Sequence, residues 1–168
     1  MKYSVFTKSK KISTLSKKLF LGLLLIASTV TFSQEVKWLT NFEEAAKLSQ
    51  KTNKPILANF TGSDWCGWCK VLNREVFSKE EFAKWANENV ILLELDFPRK
   101  TKLSAELKKQ NYAMQRAFGV SGYPTIWMFE VGDGKDPKKG LNPLGKTGYI
   151  KGGPKKWINS INRYLPKS

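Results

Sequence analysis

Apolar residues are arranged along this chain in two distinct ways. Near the front they form one run, Leu19 to Val30, behind six lysines (Lys2, Lys8, Lys10, Lys11, Lys17, Lys18), with no acidic residue before Gln34. From Gln34 onward they fall into short solid runs and helical stripes. Val36–Leu39 reads as a short edge strand. Thr40 and Glu43 have capping-box spacing, and Phe42, Ala45, Ala46 and Leu48 form a stripe that predicts a helix to about Gln50. Ile56–Phe60, opened by Lys54-Pro55 and closed by the turn residues Thr61–Asp64, suits a buried strand. A helix is expected from about Cys66, with Val71, Leu72 and Val76 on one side. Ser78 and Glu81 offer a second capping box, so this helix is expected to break there and restart through Trp85. Val90–Leu95 predicts another buried strand. Leu103–Phe118 predicts a long helix, with Leu103, Leu107, Met114 and Phe118 near one face, and Thr125–Val131 a further strand.

The last stretch is less regular. Gly132–Lys146 holds four glycines and two prolines and reads as a long loop, with Thr147–Lys151 returning as the second strand of a hairpin. Gly152-Gly153-Pro154 then opens a closing helix that buries Trp157, Ile158, Ile161 and Leu165. Trp85 and Trp127 also fit core positions. The order β α β α β α β β α predicts a single α/β domain over residues 34–168: a central mixed β-sheet flanked by helices on both faces. No internal repeat or linker divides it.

The front run of 12 residues is too short for a membrane span, which takes about 20, but it fits the core of a secretory signal. Thr31-Phe32-Ser33 places small residues where a signal peptidase needs them, so residues 1–33 are expected to be a signal peptide cut before Gln34. An uncleaved amphipathic anchor is the alternative. No cysteine directly follows the run, so nothing suggests lipid attachment, and no stable membrane insertion is expected after cleavage. The mature chain would be periplasmic or secreted. The net charge of +15 falls to +9 without those six lysines. The remaining lysines are scattered, apart from Lys135, Lys138 and Lys139, and no arginine-rich stripe with interleaved aromatics points to nucleic acid. They read as a solvated surface, with attraction to acidic partners or an anionic membrane face as the alternative.

Histidine is absent and there are two cysteines. That excludes every imidazole mechanism, disulfide-dense scaffolds and four-cysteine zinc sites. Cys66 and Cys69 are three apart, and so short a loop constrains the unfolded chain little. In an exported protein such a pair reads as chemistry. The run Trp65-Cys66-Gly67-Trp68-Cys69-Lys70 follows a predicted strand and opens a predicted helix. Residues three apart on a helix share a face, with Cβ atoms about 5–6 Å apart, so a small adjustment brings the sulfurs together. A cysteine at the helix start meets unpaired N–H groups and the positive end of the dipole, which favour thiolate. Cys66 would attack and Cys69, one turn on, would resolve the mixed disulfide. Half of a metal site, completed by carboxylates such as Asp64, and an inert structural disulfide are the competing readings.

Trp-Cys-Gly-x-Cys-Lys after an apolar strand resembles a thioredoxin active site, and Gly122-Tyr123-Pro124-Thr125 before the next strand resembles that family's cis-proline loop. The fuller run Phe60–Lys70 is similar to exported, single-domain thioredoxin-like proteins of Bacteroidetes-type bacteria. The resemblance covers about residues 36–166. It implies a thioredoxin fold, an exposed nucleophile Cys66, a buried resolving Cys69, and a cis Pro124 facing the disulfide. Extended substrate would pair beside Tyr123, within a site formed by Trp65, Gly67, Trp68, Tyr123 and Pro124. The redox pair needs no bound cofactor. The implied partners are protein thiols and disulfides together with a membrane redox protein.

Two positions depart from the family. Asn59 stands where many thioredoxins carry a buried aspartate that helps move protons for the resolving cysteine. An amide cannot do this, which leaves water, Lys70 or another acid such as Asp64. Trp68 stands where proline is usual, so the redox potential does not transfer. The expected function is disulfide exchange with proteins, reduction slightly favoured over oxidation or isomerisation. The alternative is a non-catalytic polypeptide-binding module of the same fold.

Overall fold

A computed structural model gives the structure over residues 36–132 and 140–167. The expected signal peptide and the Lys135–Lys139 cluster lie outside the described residues. Four strands, β1 (Ile56–Thr61), β2 (Ile91–Asp96), β3 (Thr125–Val131) and β4 (Leu141–Thr147), form one sheet in the order β2-β1-β3-β4. β1 runs parallel to β2 and antiparallel to β3, and β3 pairs antiparallel with β4. The sheet is mixed, as the pattern predicts. All six residues of β1 are buried, which is why a central strand reads as a near-continuous apolar run.

Alternation along the strands sorts side chains into two cores. Leu57, Leu92, Ile126 and Met128 face α2 (Gly67–Leu72), α3 (Glu80–Asn89) and α5 (Gly153–Asn162). Ile56, Ala58, Phe60, Leu93, Leu95 and Phe129 face α1 (Phe42–Thr52) and α4 (Ala105–Ala117). Trp157 is fully buried, with Phe77, Phe82 and Trp85 in edge-on contact at centroid distances of 5.4–6.4 Å.

Several local expectations shift. Val36–Leu39 forms only an isolated bridge at Leu39, whose N–H donates to the Leu92 carbonyl and whose carbonyl accepts from Glu94. Asn41, not Thr40, caps α1, accepting from the Glu44 N–H at 2.9 Å. Leu48 is exposed, and the buried positions of that helix are Ala45 and Ser49. The Ser78–Glu81 capping box does not form. α3 starts after Lys79, while the Ser78 hydroxyl donates to the Arg74 carbonyl. The break expected there is a π turn, Asn73–Phe77, in which the Ser78 N–H reaches the Asn73 carbonyl at 2.9 Å. This wider turn lets Leu72, Val76 and Phe77 all face the core. α4 starts after Ser104, so Leu103 lies outside it.

The largest correction concerns residues 132–151. The hairpin's second strand is Leu141–Thr147, inside the expected loop, and Thr147–Lys151 is not a strand beyond its first residue. Pro143 and Gly145 disguised it. β4 lies at the sheet edge, where a missing N–H costs no ladder bond. A register shift opposite Met128 and Phe129 leaves Leu144 as the extra residue, packed on the core. Gly145 leaves room for the Tyr164 ring, which a Cβ there would approach to 2.3 Å. Trp127 is half-buried rather than a full core residue, with Lys146 over its ring.

Candidate active site

Cys66 and Cys69 are joined in a disulfide with Cα atoms 5.3 Å apart. The local sequence makes this geometry. β1 ends at Thr61, Gly62 turns the chain, and its carbonyl accepts from the N–H groups of Trp65 and Cys66. Gly62 is required by close approach, since a Cβ there would stand 2.5 Å from the Trp65 ring. Cys66 is the N-cap of α2, and its Sγ accepts from the Cys69 N–H at 3.2 Å. A sulfur thus occupies the place that Asn41 Oδ1 takes at α1, and this donor favours the thiolate form of Cys66 when the pair is reduced. Both cysteines are 6% exposed. The expected contrast between an exposed Cys66 and a buried Cys69 is therefore absent in the disulfide form.

The remaining expected site residues divide into two groups. Trp65 is a wedge. Its indole N–H donates to the Phe97 carbonyl at 2.8 Å, Arg99 lies 3.8 Å above its ring, and Tyr123 meets it edge-on at 5.7 Å. Tyr123 also packs on Phe97, and its hydroxyl accepts from Gln115 Nε2. This contact joins the Cys66 loop to the Tyr123–Pro124 loop, whose peptide bond is cis. Trp68 is separate. It is 62% exposed and stacks on Tyr149 at 5.2 Å. Gly67 beside it is exposed, with open space around its Cα.

Tyr149 enters the site without a signal in the local sequence. Its hydroxyl donates to Glu75 on the π turn at 2.5 Å, which lowers the Glu75 carboxyl and raises the Tyr149 phenol. The segment after β4 also passes Pro124, where a Cβ on Gly148 would stand 3.4 Å from the Pro124 carbonyl oxygen. Nothing in the local pattern signals this, because residues 68 and 149 meet only through the fold.

Asp64 is otherwise engaged. Its carboxylate accepts from the N–H groups of Arg99, Lys100 and Thr101, at 3.0, 2.7 and 3.1 Å, and these bonds hold it below the usual aspartate value. It organises the loop after β2. Lys70 Nζ donates to the Asp64 carbonyl at 3.1 Å. Asn59 is buried on β1, and its Oδ1 accepts no hydrogen bond among the described residues. It shares a cavity of about 150 Å³ with Cys69, Thr61, Lys70, Asn73 and Glu94. Burial raises the Glu94 carboxyl above the ordinary glutamate value, and the Asp96 charge adds to the rise. The signal for Glu94 was present, a lone charge inside the apolar run Val90–Leu95.

With this geometry in hand, known proteins place the chain. A family model for the thioredoxin-like domain matches residues 42–144. The disulfide bond reductase DsbH of Chlamydia pneumoniae is 29% identical over 110 residues, covering 66% of each chain. A solved DsbH oxidoreductase structure superposes with a TM-score of 0.69 at 27% identity, over 78% of this chain and 85% of that one. The thiol:disulfide interchange protein DsbD of Campylobacter jejuni is 31% identical over 98 residues, 58% of this chain and 16% of DsbD. A Thermus thermophilus thioredoxin shares the fold, with a TM-score of 0.55 at 15% identity over 76% of this chain and 85% of that one. The chain thus spans about two thirds of DsbH and a small part of DsbD. It belongs to the thioredoxin-like family of thiol–disulfide oxidoreductases.

Proposed function

We propose that this protein is an exported reductase that exchanges disulfides with protein substrates through Cys66 and Cys69. The observation that carries the reading is the bond between the two sulfurs at a helix start, with a backbone N–H directed at Cys66 Sγ. Cys66 thiolate attacks a substrate disulfide, and Cys69 then displaces the substrate from Cys66. The extended substrate lies along Tyr123 and Pro124, its backbone pairing there, with Gly67 and Trp68 as the open lip. The two electrons are carried by the cysteine pair itself, so the exchange requires no bound cofactor.

The named activity of the similar DsbH, disulfide bond reduction, supports this direction. Outside the cytosol a reductase must be supplied with electrons, because thiols there are oxidised unless something reduces them. A membrane redox protein is the partner that meets this need. The lysine-rich start and apolar run support export, and among the described residues no helix is long and apolar enough to cross a membrane.

Equilibrating the protein in graded thiol buffers and trapping free thiols tests the direction. A reductase is expected to have a potential near that of thioredoxin, about −270 mV, whereas about −120 to −180 mV would mean oxidation or isomerisation. Cys66→Ser is expected to abolish reduction of a protein disulfide, and Cys69→Ser to accumulate the mixed disulfide. Full function in Cys66→Ser would mean a binding module instead. The N-terminal residue of the exported protein is expected to be Gln34, or Gln34 cyclised; an N-terminus at Met1 would mean an uncleaved anchor.

A further inference from the structure

The cavity beneath the disulfide holds a carboxylate that the exchange reading leaves without a task. Along the sheet face covered by α2, paired residues of β1 and β2 change from Leu57–Leu92 to Asn59–Glu94 to Thr61–Asp96. The apolar core thus gives way to polar rows beneath Cys69. Asp96 is occupied, since its oxygens accept from the Ser63 N–H and hydroxyl at 2.8 and 2.6 Å. Glu94 is different. Among the described residues its carboxylate makes no side-chain hydrogen bond and no ion pair, yet it lines the same 150 Å³ cavity as Cys69. Asn59, its neighbour across the ladder, presents a buried Oδ1 with no partner among the described residues. A polar cavity of this size accommodates water.

We propose that Glu94 is the proton acceptor for Cys69, acting through water in this cavity, and that the acid at work stands one strand away from Asn59. The inference rests on the exchange reading above and adds the residue that makes its second step possible. Cys66 thiolate first bonds to one substrate sulfur, the substrate S–S bond breaks, and the released sulfur takes a proton from solvent. The Cys69 thiol then passes its proton through water to Glu94. Cys69 thiolate attacks Cys66 Sγ, the Cys66–Cys69 bond forms, the mixed disulfide breaks, and the second substrate sulfur leaves as thiolate. Two electrons have passed from the pair to the substrate. When the pair is reduced again, protonated Glu94 returns the proton to Cys69. A carboxyl raised by burial, as Glu94 is, takes a proton from a thiol more readily than an ordinary one.

The other charged groups around Glu94 leave this role to it. Asp96 on its own strand raises its proton affinity. Lys70 on α2 shares the cavity, with its amine directed to the Asp64 carbonyl. Lys37, next to the cavity-lining Trp38, pairs with Glu44 at 3.7 Å, and Arg74 on the π turn pairs with Glu75. β1 contributes only the uncharged Asn59 and Thr61.

Stopped-flow tryptophan fluorescence of the reduced full-length chain mixed with excess glutathione disulfide reads this step. At saturation the rate is that of Cys69 attacking the Cys66–glutathione mixed disulfide. Glu94→Gln is expected to slow that plateau at least about a hundredfold at pH 7, the low end for general base catalysis. Its pH profile is expected to lose the Glu94 limb and rise only with thiol ionisation. Adding Asn59→Asp to Glu94→Gln returns a carboxylate one strand spacing away and is expected to recover most of the rate. A Glu94→Gln plateau and profile matching the native chain would overturn the proposal. So would a slower rate with an unchanged profile and no recovery by Asn59→Asp, which would mean that Glu94 only packs. Should Glu94→Gln not fold, Glu94→Asp decides, because a profile with the same low-pH limb as the native chain overturns the role and a displaced limb supports it. A native chain that forms no Cys66–Cys69 bond with glutathione disulfide would overturn the exchange reading itself, an outcome separate from all of these.

Discussion

Glu94 pits stability against chemistry at a single position. A carboxyl whose pKa is raised on folding holds its proton more tightly in the folded chain. Its favourable contribution is therefore complete below the unfolded glutamate value, about 4.3, and is lost as the pH rises through the higher folded value. Glu94 is raised in this way, so at pH 7 its charge opposes folding. Glu94→Gln is expected to raise Tm at pH 7 and to lose that advantage below about pH 4.3, read by scanning calorimetry at both pH values. An equal gain at both would mean that burial of the charge is not the cause. Asp64 and Glu75 shift the other way, because hydrogen bonds from Arg99 and Tyr149, respectively, favour their charged forms. A carboxylate kept at a cost beneath the resolving cysteine, amid others that are satisfied, fits selection for proton transfer rather than for stability.

At the scale of elements, α2 and α5 have opposite relations to the site. α2 carries the cysteines and continues into the π turn, which supplies Asn73 to the cavity and Glu75 to Tyr149. α5 carries no chemistry and seals the helical layer beside it. Its Trp157 is fully buried, and the indole N–H donates to the Gly148 carbonyl at 2.9 Å, one residue before Tyr149. Trp157→Ala is expected to cost about 3–5 kcal/mol, a large share of the roughly 5–15 kcal/mol that such domains possess. Urea unfolding should show a lower midpoint with an unchanged slope. A loss under about 1 kcal/mol would mean the aromatic cluster does not anchor this helix. Element positions were largely legible in sequence, since β1, β3, α2 and α5 lie close to where periodicity and punctuation place them. β4 was not, because Pro143 and Gly145 are loop residues by composition and become strand residues only at an edge beside β3.

For the whole molecule, the mixed sheet with helices on both faces and the Cys66–Cys69 pair at a helix start follow from the sequence alone. Solid apolar runs, helical stripes and the Cys-x-x-C spacing are short-range signals. Backbone geometry converts them into strands, helices and adjacent sulfurs within a few residues. The asparagine at position 59 could likewise be seen to leave the resolving cysteine without an acid on β1. Only the tertiary structure decided which group stands in that acid's place, because the Asn59–Glu94 pairing depends on the register of two strands 35 positions apart. It also decided that Asp64 serves a loop, that Trp68 rests on Tyr149, and that Cys66 is covered in the disulfide form. Each of these is a contact between distant segments. Local sequence cannot encode such contacts, because packing against the sheet chooses among neighbours that the chain brings together only when it folds.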